Sequence, residues 1–338
     1  MIGVTGTNGK TTVTHMLEGV ARRQGLTTGL VGTIGAHIGD EIVPLRHTTP
    51  EATELHRLFG TMRDAGVDVV MMEISSHALD MGRVDGLVFD IVGFTNLSQD
   101  HLDFHHTMDA YYDAKASLFA PDRARYGYVV SHDQWGERLA ADATIGITTV
   151  GLDRVADIVA TTTASNLDGT TMSVVLHGAT TEVTTPLAGW FNAENALLAA
   201  AISAHVGWSA EAIVGGIGDV GAVAGRFEVV DAGQPYSVIV DYAHTPEAIA
   251  LVVDAARLLS DGRVIALGGA GGDRDAEKRR AMGAALGTAD LAIVTSDNPR
   301  SEDPAAIAEA VAAGVPAGTA LVIDVDRRSA MKSAFAAA

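Results

Sequence analysis

The stretch "TGTNGKTT", Thr5 to Thr12, decides how the rest of the chain is read. Its spacing is G-x-x-G-K-T from Gly6 to Thr11, with Val4 where a Walker A loop carries its first glycine. The physics of a phosphate loop survives that change. Gly6 and Gly9 let backbone N–H groups approach phosphate oxygens, Lys10 neutralises them, and Thr11 can ligand Mg²⁺ at a helix N-terminus. Thr7, Asn8 and Thr12 complete the expected nucleotide-binding set. Such a loop joins a buried strand to a helix, yet only "MIGV" precedes it, which reads as barely a strand. The expectation is that the chain begins inside a larger protein.

Working outward, 338 residues predict about two domains, and 47% hydrophobic residues suffice for two packed cores. Cysteine is absent, so disulfides, cysteine-ligated zinc and a thiol nucleophile are excluded. No signal peptide and no apolar run of about 20 residues is present, so membrane insertion is not expected and a cytoplasmic setting is. A formal charge of -19 argues against nucleic-acid binding, which needs a basic face. Anionic ligands then require local cations. Lysine is scarce, only Lys10, Lys115, Lys278 and Lys332, which points to positions where arginine cannot substitute.

Apolar, β-branched stretches alternate with helical patterns, as parallel strands joined by right-handed crossovers require. The strands "VDVVMMEIS", "DIVGFTNL" and "YGYVVS" are separated by helices such as "VTHMLEGVARRQG". From about Gly151 to Pro186 short Thr-rich pieces with a turn at "LDGT" predict a small antiparallel sheet appended to the parallel one. Past "AVAGRFEVV" the strands "YSVIVDYA", "RVIALGG", "LAIVTSD" and "ALVIDVD" predict a second, Rossmann-like α/β domain. The fold class is therefore α/β, a P-loop-type mostly parallel sheet followed by a Rossmann-like domain. The boundary is placed at 223/224, giving domains 1–223 and 224–338. The last segment, "DRRSAMKSAFAAA", still reads as helix where it stops, so both ends look cut.

Glu73 ends an apolar run and so lies at the C-terminal edge of a sheet, where α/β folds gather ligands. The next strand delivers "SQDHLDFHH" to that edge, so His101, with Asp100 and Asp103, can face the site of Glu73 and Thr11. Oxygen donors with one imidazole suit Mg²⁺ or Mn²⁺ better than zinc. Lys115, in "YYDAKASLF", would repel such cations unless CO₂ converted it to a carbamate, which a buried neutral amine permits and arginine does not. From spacing alone, an ordinary surface lysine is the default reading.

"TGTNGKTT", "EISSHAL", "FTNLSQDHLDFH", "YYDAK", "GRFE", "DYAHTPEA", "GGDRDAEKR" and "SDNPR" stand in the order found in the Mur ligases, and the chain resembles that family along essentially its whole length. The resemblance implies an ATP-dependent, ADP-forming amide ligase of peptidoglycan precursor synthesis, with ATP, Mg²⁺ and a lysine carboxylated by CO₂ at Lys115. The γ-phosphate would pass to the D-glutamyl side-chain carboxylate of UDP-N-acetylmuramoyl-L-alanyl-D-glutamate. The resulting acyl phosphate would be attacked by the amine of a diamino acid. Lys10, Glu73, His101 and Lys115 take the catalytic roles, with Thr11, Glu73, His101 and Lys115 toward the metal.

By motif, Asn192, Asn195, Arg226, Asp241 and His244 would approach the nucleotide. Thr48, Thr49, Ser75 and Arg83 would contact the nucleotide-sugar substrate, and Met81 stands where other members have glutamine. Asp297, Asn298, Pro299 and Arg300 match the diaminopimelate-adding branch, with Arg274 of "GGDRD" beside them. A second carboxylate on meso-diaminopimelate needs a bidentate cation, which Arg300 offers. Family members also carry an N-terminal domain that holds the uridine nucleotide and a C-terminal "GKGHE"-type loop. This chain is read as lacking both, as a monomer, and as binding ATP while ligating poorly. The competing readings are a nucleotide-binding module without turnover and another Mur-fold ligase, of the lysine-adding, folylpolyglutamate or cyanophycin type.

Overall fold

The structure is a computed structural model and describes residues 1–221, 225–273 and 275–338. Packing divides the chain into two compact units, Met1–Leu97 with Asp109–Ala224, and Ser98–Met108 with Gly225–Ala338. The expected boundary at 223/224 lies outside the described residues.

In chain order the elements begin β1 (Ile2–Thr5), α1 (Lys10–Arg23), β2 (Thr28–Gly32), β3 (Gly35–Ile38), β4 (Glu41–Val43), α2 (Ala52–Asp64), β5 (Val69–Glu73), α3 (Ser76–Asp80), β6 (Phe89–Phe94), α4 (Leu102–His105) and α5 (Met108–Ala116). They continue with β7 (Ala124–Val130), α6 (Gln134–Asp142), β8 (Gly146–Leu152), β9 (Ile158–Asn166), β10 (Gly169–Leu176), β11 (Ala179–Thr185), α7 (Trp190–Val206) and α8 (Ala210–Gly218). One sheet of eleven strands forms the first unit, in the order β11-β10-β9-β8-β7-β6-β1-β5-β2-β3-β4. Its centre is parallel, from β9 through to β2. Antiparallel strands extend it at both ends, β10 and β11 on one side and β3 and β4 on the other.

"MIGV" is a full strand after all. Ile2 pairs with Met71 on one side and Ile91 on the other, so four fully buried residues form the middle of the sheet. The Thr-rich region forms β9 to β11 as expected, but these strands continue the large sheet through the parallel β8–β9 pairing. The β3–β4 hairpin was not read from the sequence.

Helix α1 buries Val13, Met16, Leu17, Val20 and Ala21, the spacing of one helical face, against β1 and the sheet. Helix α7 is Ala-rich and buried along most of its length because it packs on α1, α8 and several strands at once. Beneath α1, the buried Glu18 carboxylate accepts from His37 Nδ1 of β3 at 2.8 Å and from Thr28 Oγ1 at 3.1 Å, tying helix to sheet. Among the described residues no helix is long and apolar enough to cross a membrane.

The second unit adds β12 (Glu228–Val230), β13 (Val238–Val240), α9 (Pro246–Leu258), β14 (Ile265–Gly268), α10 (Lys278–Leu286), β15 (Leu291–Val294), α11 (Pro304–Ala312), β16 (Ala320–Ile323) and α12 (Arg327–Ala337). Strands β14, β15 and β16 form a parallel sheet. Thr245 and Asp303 cap α9 and α11, each followed by proline at the first helical position. The strand in "YSVIVDYA" departs from expectation. It pairs antiparallel with β12 in a separate two-stranded sheet, because the turn at Asp231–Gln234 closes a local hairpin.

Burial pushes the Glu18 carboxyl up, but the His37 hydrogen bond and the charges of His37, Arg22 and His15 outweigh it and hold it below its ordinary 4.5. A depressed carboxylate contributes stability that is present above 4.5 and is lost as pH falls through the lower folded value. Glu18→Gln is expected to cost about 1–3 kcal/mol at pH 7. The gap to the unaltered chain should close as urea unfolding is repeated at pH values stepped below 4.5.

Candidate active site

The phosphate-type loop connects β1 to α1. Gly9 has φ +84°, and a Cβ there would lie 2.3 Å from Asn195 Oδ1, so only glycine allows α7 to come this close. Asn195 is held in turn by Asn192, whose Oδ1 accepts from Asn195 Nδ2 at 3.2 Å. The expected pair on α7 thus packs on the loop. Thr11 and Thr12 are buried in the first turn of α1.

Three residues not singled out from the sequence brace the loop. The Asn96 backbone oxygen accepts from Thr7 N at 2.9 Å, and its side-chain oxygen accepts from Asn8 N at 3.0 Å. Thr95 Oγ1 donates to Asn8 O at 2.6 Å, and Tyr111 OH lies 3.1 Å from Thr7 Oγ1. Their signal was position: they sit inside "FTNL" and "YYDAK".

Two lysines converge on one oxygen. Lys10 Nζ donates to Gly6 O and Thr7 O, each at 2.8 Å, and Lys115 Nζ donates to the same Gly6 O at 2.8 Å. Lys115 is 1% exposed, and its Nζ stands 4.6 Å over the Tyr111 ring. The surface reading of Lys115 therefore fails.

Glu73, at the end of β5, is completely buried. Its Oε2 accepts from Thr11 Oγ1 at 2.9 Å and from Thr33 Oγ1 at 3.1 Å, while Oε1 accepts from Thr33 N at 2.8 Å. Glu73 and Thr11 therefore meet. Among the described residues no group of three or more histidine, aspartate or glutamate side chains is arranged to hold a metal ion.

The expected sugar-contacting residues flank Glu73. Thr48 Oγ1 lies 3.1 Å from Thr33 Oγ1. Thr49 Oγ1 donates to Glu73 O at 2.9 Å and accepts from Ser75 N at 3.1 Å, so its hydroxyl is committed to the backbone. Ser75 caps α3 through Ala78 N. Arg83 donates to Thr49 O at 3.1 Å, pairs with Glu51 at 2.8 Å, and reaches the Met81 sulfur at 3.4 Å.

In the second unit, His101 has a left-handed backbone (φ 54°), and its N–H donates to Asp100 Oδ1 at 2.9 Å. The buried Asp100 carboxylate also meets His244 Nε2 at 3.2 Å, His101 Nε2 at 3.3 Å and Lys278 Nζ at 3.6 Å. Burial opposes its charge, but the His244 hydrogen bond and the electrostatic pull of His101, His244 and Lys278 hold it well below the usual carboxylate range. Arg226 lies over the Tyr242 ring at 4.8 Å. Asp241 accepts from Phe227 N and Ala243 N, each at 2.7 Å, and burial still pushes its carboxyl up.

Asp297, Asn298, Pro299 and Arg300 follow β15, and the Arg300 guanidinium donates to Gly272 O. Arg274 lies outside the described residues.

The Mur ligase middle domain family model matches residues 4–203, and the Mur ligase, glutamate ligase domain model matches residues 225–338. The chain belongs to the Mur ligase family. It is 44% identical over 346 residues to a UDP-N-acetylmuramoyl-L-alanyl-D-glutamate--2,6-diaminopimelate ligase of Bacillus cereus, covering 100% of this chain and 70% of that protein. It is 48% identical over 325 residues to the Corynebacterium glutamicum protein of the same name, covering 94% of this chain and 62% of that one. A solved structure titled with that ligase name superposes with TM-score 0.69 at 34% identity, covering 98% of this chain and 69% of the other.

Thr49→Val would leave the Ser75 N–H without its acceptor and the Glu73 carbonyl without its donor. It is expected to destabilise the first unit by about 1–3 kcal/mol in urea unfolding.

Proposed function

We propose that this chain carries the chemistry of an ATP-dependent ligase that joins meso-diaminopimelate to UDP-N-acetylmuramoyl-L-alanyl-D-glutamate, releasing ADP and phosphate. The observation that carries the reading is the convergence of Lys10 and Lys115 on Gly6 O, in the loop whose helix brings Thr11 to the Glu73 carboxylate. Such a loop offers backbone N–H groups and a mobile cation to phosphates. Activating a carboxylate as an acyl phosphate, and then attacking it with an amine, needs positioning and charge stabilisation more than a covalent enzyme intermediate. That agrees with the lack of cysteine.

The donor set fits Mg²⁺: a buried carboxylate and a threonine hydroxyl, both hard oxygens. Thr11, Glu73 and a carboxylated Lys115 are the proposed holders, while the expectation for His101 rests on its motif. When bound, Mg²⁺ neutralises charge on the transferring phosphoryl group. Lys10 orients the phosphates. Thr33 and Thr11 keep the Glu73 carboxylate in place.

CO₂ addition to the neutral Lys115 amine forms an N–C bond and releases one proton, leaving an anion beside Lys10 where two ammonium groups would repel. Burial favours the neutral amine that this requires. The sugar-contacting roles of Thr48, Thr49, Ser75 and Arg83, the nucleotide roles on α7 and in "GRFE" and "DYAH", and the diaminopimelate role of Arg300 belong to the same proposal. So do a monomeric state and a cytoplasmic setting.

Phosphate release from ATP, with the dipeptide nucleotide present, is the test. Meso-diaminopimelate is expected to stimulate it roughly 10-fold more than L-lysine, because lysine offers Arg300 no second carboxylate to pair with. Lys10→Ala should abolish it and weaken Mg·ATP binding in calorimetry. The chain read as ligating poorly is expected to show a low rate with this preference intact, whereas ATP binding with equal release for both amino acids, or none with either, would favour a nucleotide-binding module instead.

For Lys115, ¹³C-labelled bicarbonate should give a carbamate carbon resonance that Lys115→Met lacks. A spectrum without that resonance in the unaltered chain would remove the carbamate from the proposal.

A further inference from the structure

The loops after β14 and β15 leave the C-terminal ends of parallel strands, where open α/β sheets bind ligands. They are held to each other by a dense set of contacts. Gly272 N donates to Asn298 O at 3.1 Å, and a Cβ on Gly272 would lie 1.9 Å from Pro299 O, so the two backbones touch. Ser301 N and Oγ both donate to the Asp273 carboxylate, at 3.1 and 2.7 Å.

One carboxylate ties the set together. Glu302 Oε1 accepts from Asp273 N at 2.6 Å and from Arg279 Nη2 at 2.7 Å, and Oε2 accepts from Arg279 Nη1 at 2.9 Å. Arg279, in the first turn of α10, has a side chain only 9% exposed. This is a two-pronged guanidinium–carboxylate pair, the geometry in which such pairs are strongest. It fastens both loops to a helix.

Arg300 stands between the fastened points. Its guanidinium donates to Gly272 O, the residue before Asp273, and its backbone is left-handed (φ 50°) two residues before Glu302. Asp273 and Asn298 are left-handed too (φ 51° and 47°), a region that aspartate and asparagine enter more readily than arginine does. Loss of the Glu302 carboxylate would release both the backbone of Arg300 and the carbonyl that holds its head.

We propose that Arg279 and Glu302 are positioning residues for amino-acid selection, holding the two loops so that Arg300 presents a fixed fork to the second carboxylate of the incoming diamino acid. This rests on the reading of Arg300 given above. A long arginine tethered only at its backbone samples many rotamers, and small misplacements of a binding fork cost much of its selectivity. L-Lysine has no second carboxylate, so its use does not depend on where Arg300 points. The role is therefore separable from plain stabilisation.

The test is amino-acid-dependent phosphate release by the chain and by Glu302→Gln, with meso-diaminopimelate and with L-lysine. Expected is a roughly 10-fold fall in kcat/KM for diaminopimelate, expressed mainly in KM, with lysine changed less than about 2-fold. Arg279→Lys, which keeps the charge but not the fork, should fall between the two and serves if Glu302→Gln does not fold. Amide hydrogen exchange on the chain alone should speed up at Asp273 and Ser301 in either variant, whatever the turnover. A parallel loss for both amino acids, or unchanged exchange at those amides, would overturn the inference. An unaltered chain without preference for diaminopimelate would instead remove the reading of Arg300, while the exchange result still judges the brace.

Discussion

The Gly6 carbonyl is the reference point of the first unit's candidate site, since both Lys10 and Lys115 donate to it at 2.8 Å. Two like unit charges about 4 Å apart at an effective dielectric of 20 repel by about 4 kcal/mol. Such an arrangement calls for an anion close by or for a change in the chemistry of one amine. The carbonyl cannot turn away to relieve it, because Thr95, Asn96 and Tyr111 pin the loop on one side and Asn195 packs on Gly9 on the other. The short β1 fixes where the loop starts by pairing on both edges. Central strand, loop and lysines are therefore one mechanical unit.

The same economy runs through a chain that carries a formal charge of -19. Three cations in or near the motifs are each held by a protein oxygen. Arg83 is bound to Thr49 O and Glu51, Lys278 faces the buried Asp100, and Arg279 grips Glu302. Each is oriented by a carbonyl or a carboxylate, which spares the rotamer entropy that a long side chain otherwise loses when it captures an anion. Lysine scarcity in the sequence pointed toward this. Two of the four lysines meet at Gly6, and a third meets Asp100.

What could be read from the sequence was what local pattern and motif spacing determine. Helix α1, the parallel strands after Gly66 and the turn in "LDGT" followed from periodicity and turn chemistry, and the structure has them. Glu73 meeting Thr11 followed from both lying at strand and helix ends on one sheet edge. What escaped were two local hairpins whose strands are too short to show alternation, β3–β4 and β12–β13, and one grouping distant in sequence, that of Ser98–Met108 with the second unit. Tyr111, Thr95 and Asn96 were invisible as braces because a hydrogen-bonding side chain inside a motif looks the same whether it faces ligand or loop.

Backbone strain gives an independent mark of where the second unit is specialised. His101, Phe227, Asp273, Asn298 and Arg300 all have positive φ without being glycine. Histidine, asparagine and aspartate tolerate that region better than most residues, whereas phenylalanine and arginine do so rarely, at a cost on the order of 1–3 kcal/mol each. Each of the five falls in a stretch whose motif matched the Mur ligases, while His106, the remaining non-glycine residue with positive φ among the described residues of this unit, lies just past one; three of the five give their N–H to a carboxylate. Asp100 takes the His101 N–H, Asp241 takes the Phe227 N–H, and Glu302 takes the Asp273 N–H. Carboxylates are the restraint in all three because a charged acceptor makes the strongest hydrogen bond a backbone amide can find. The acidic residues of these loops thus hold the backbone of His101, Phe227 and Asp273 in shapes it would otherwise leave.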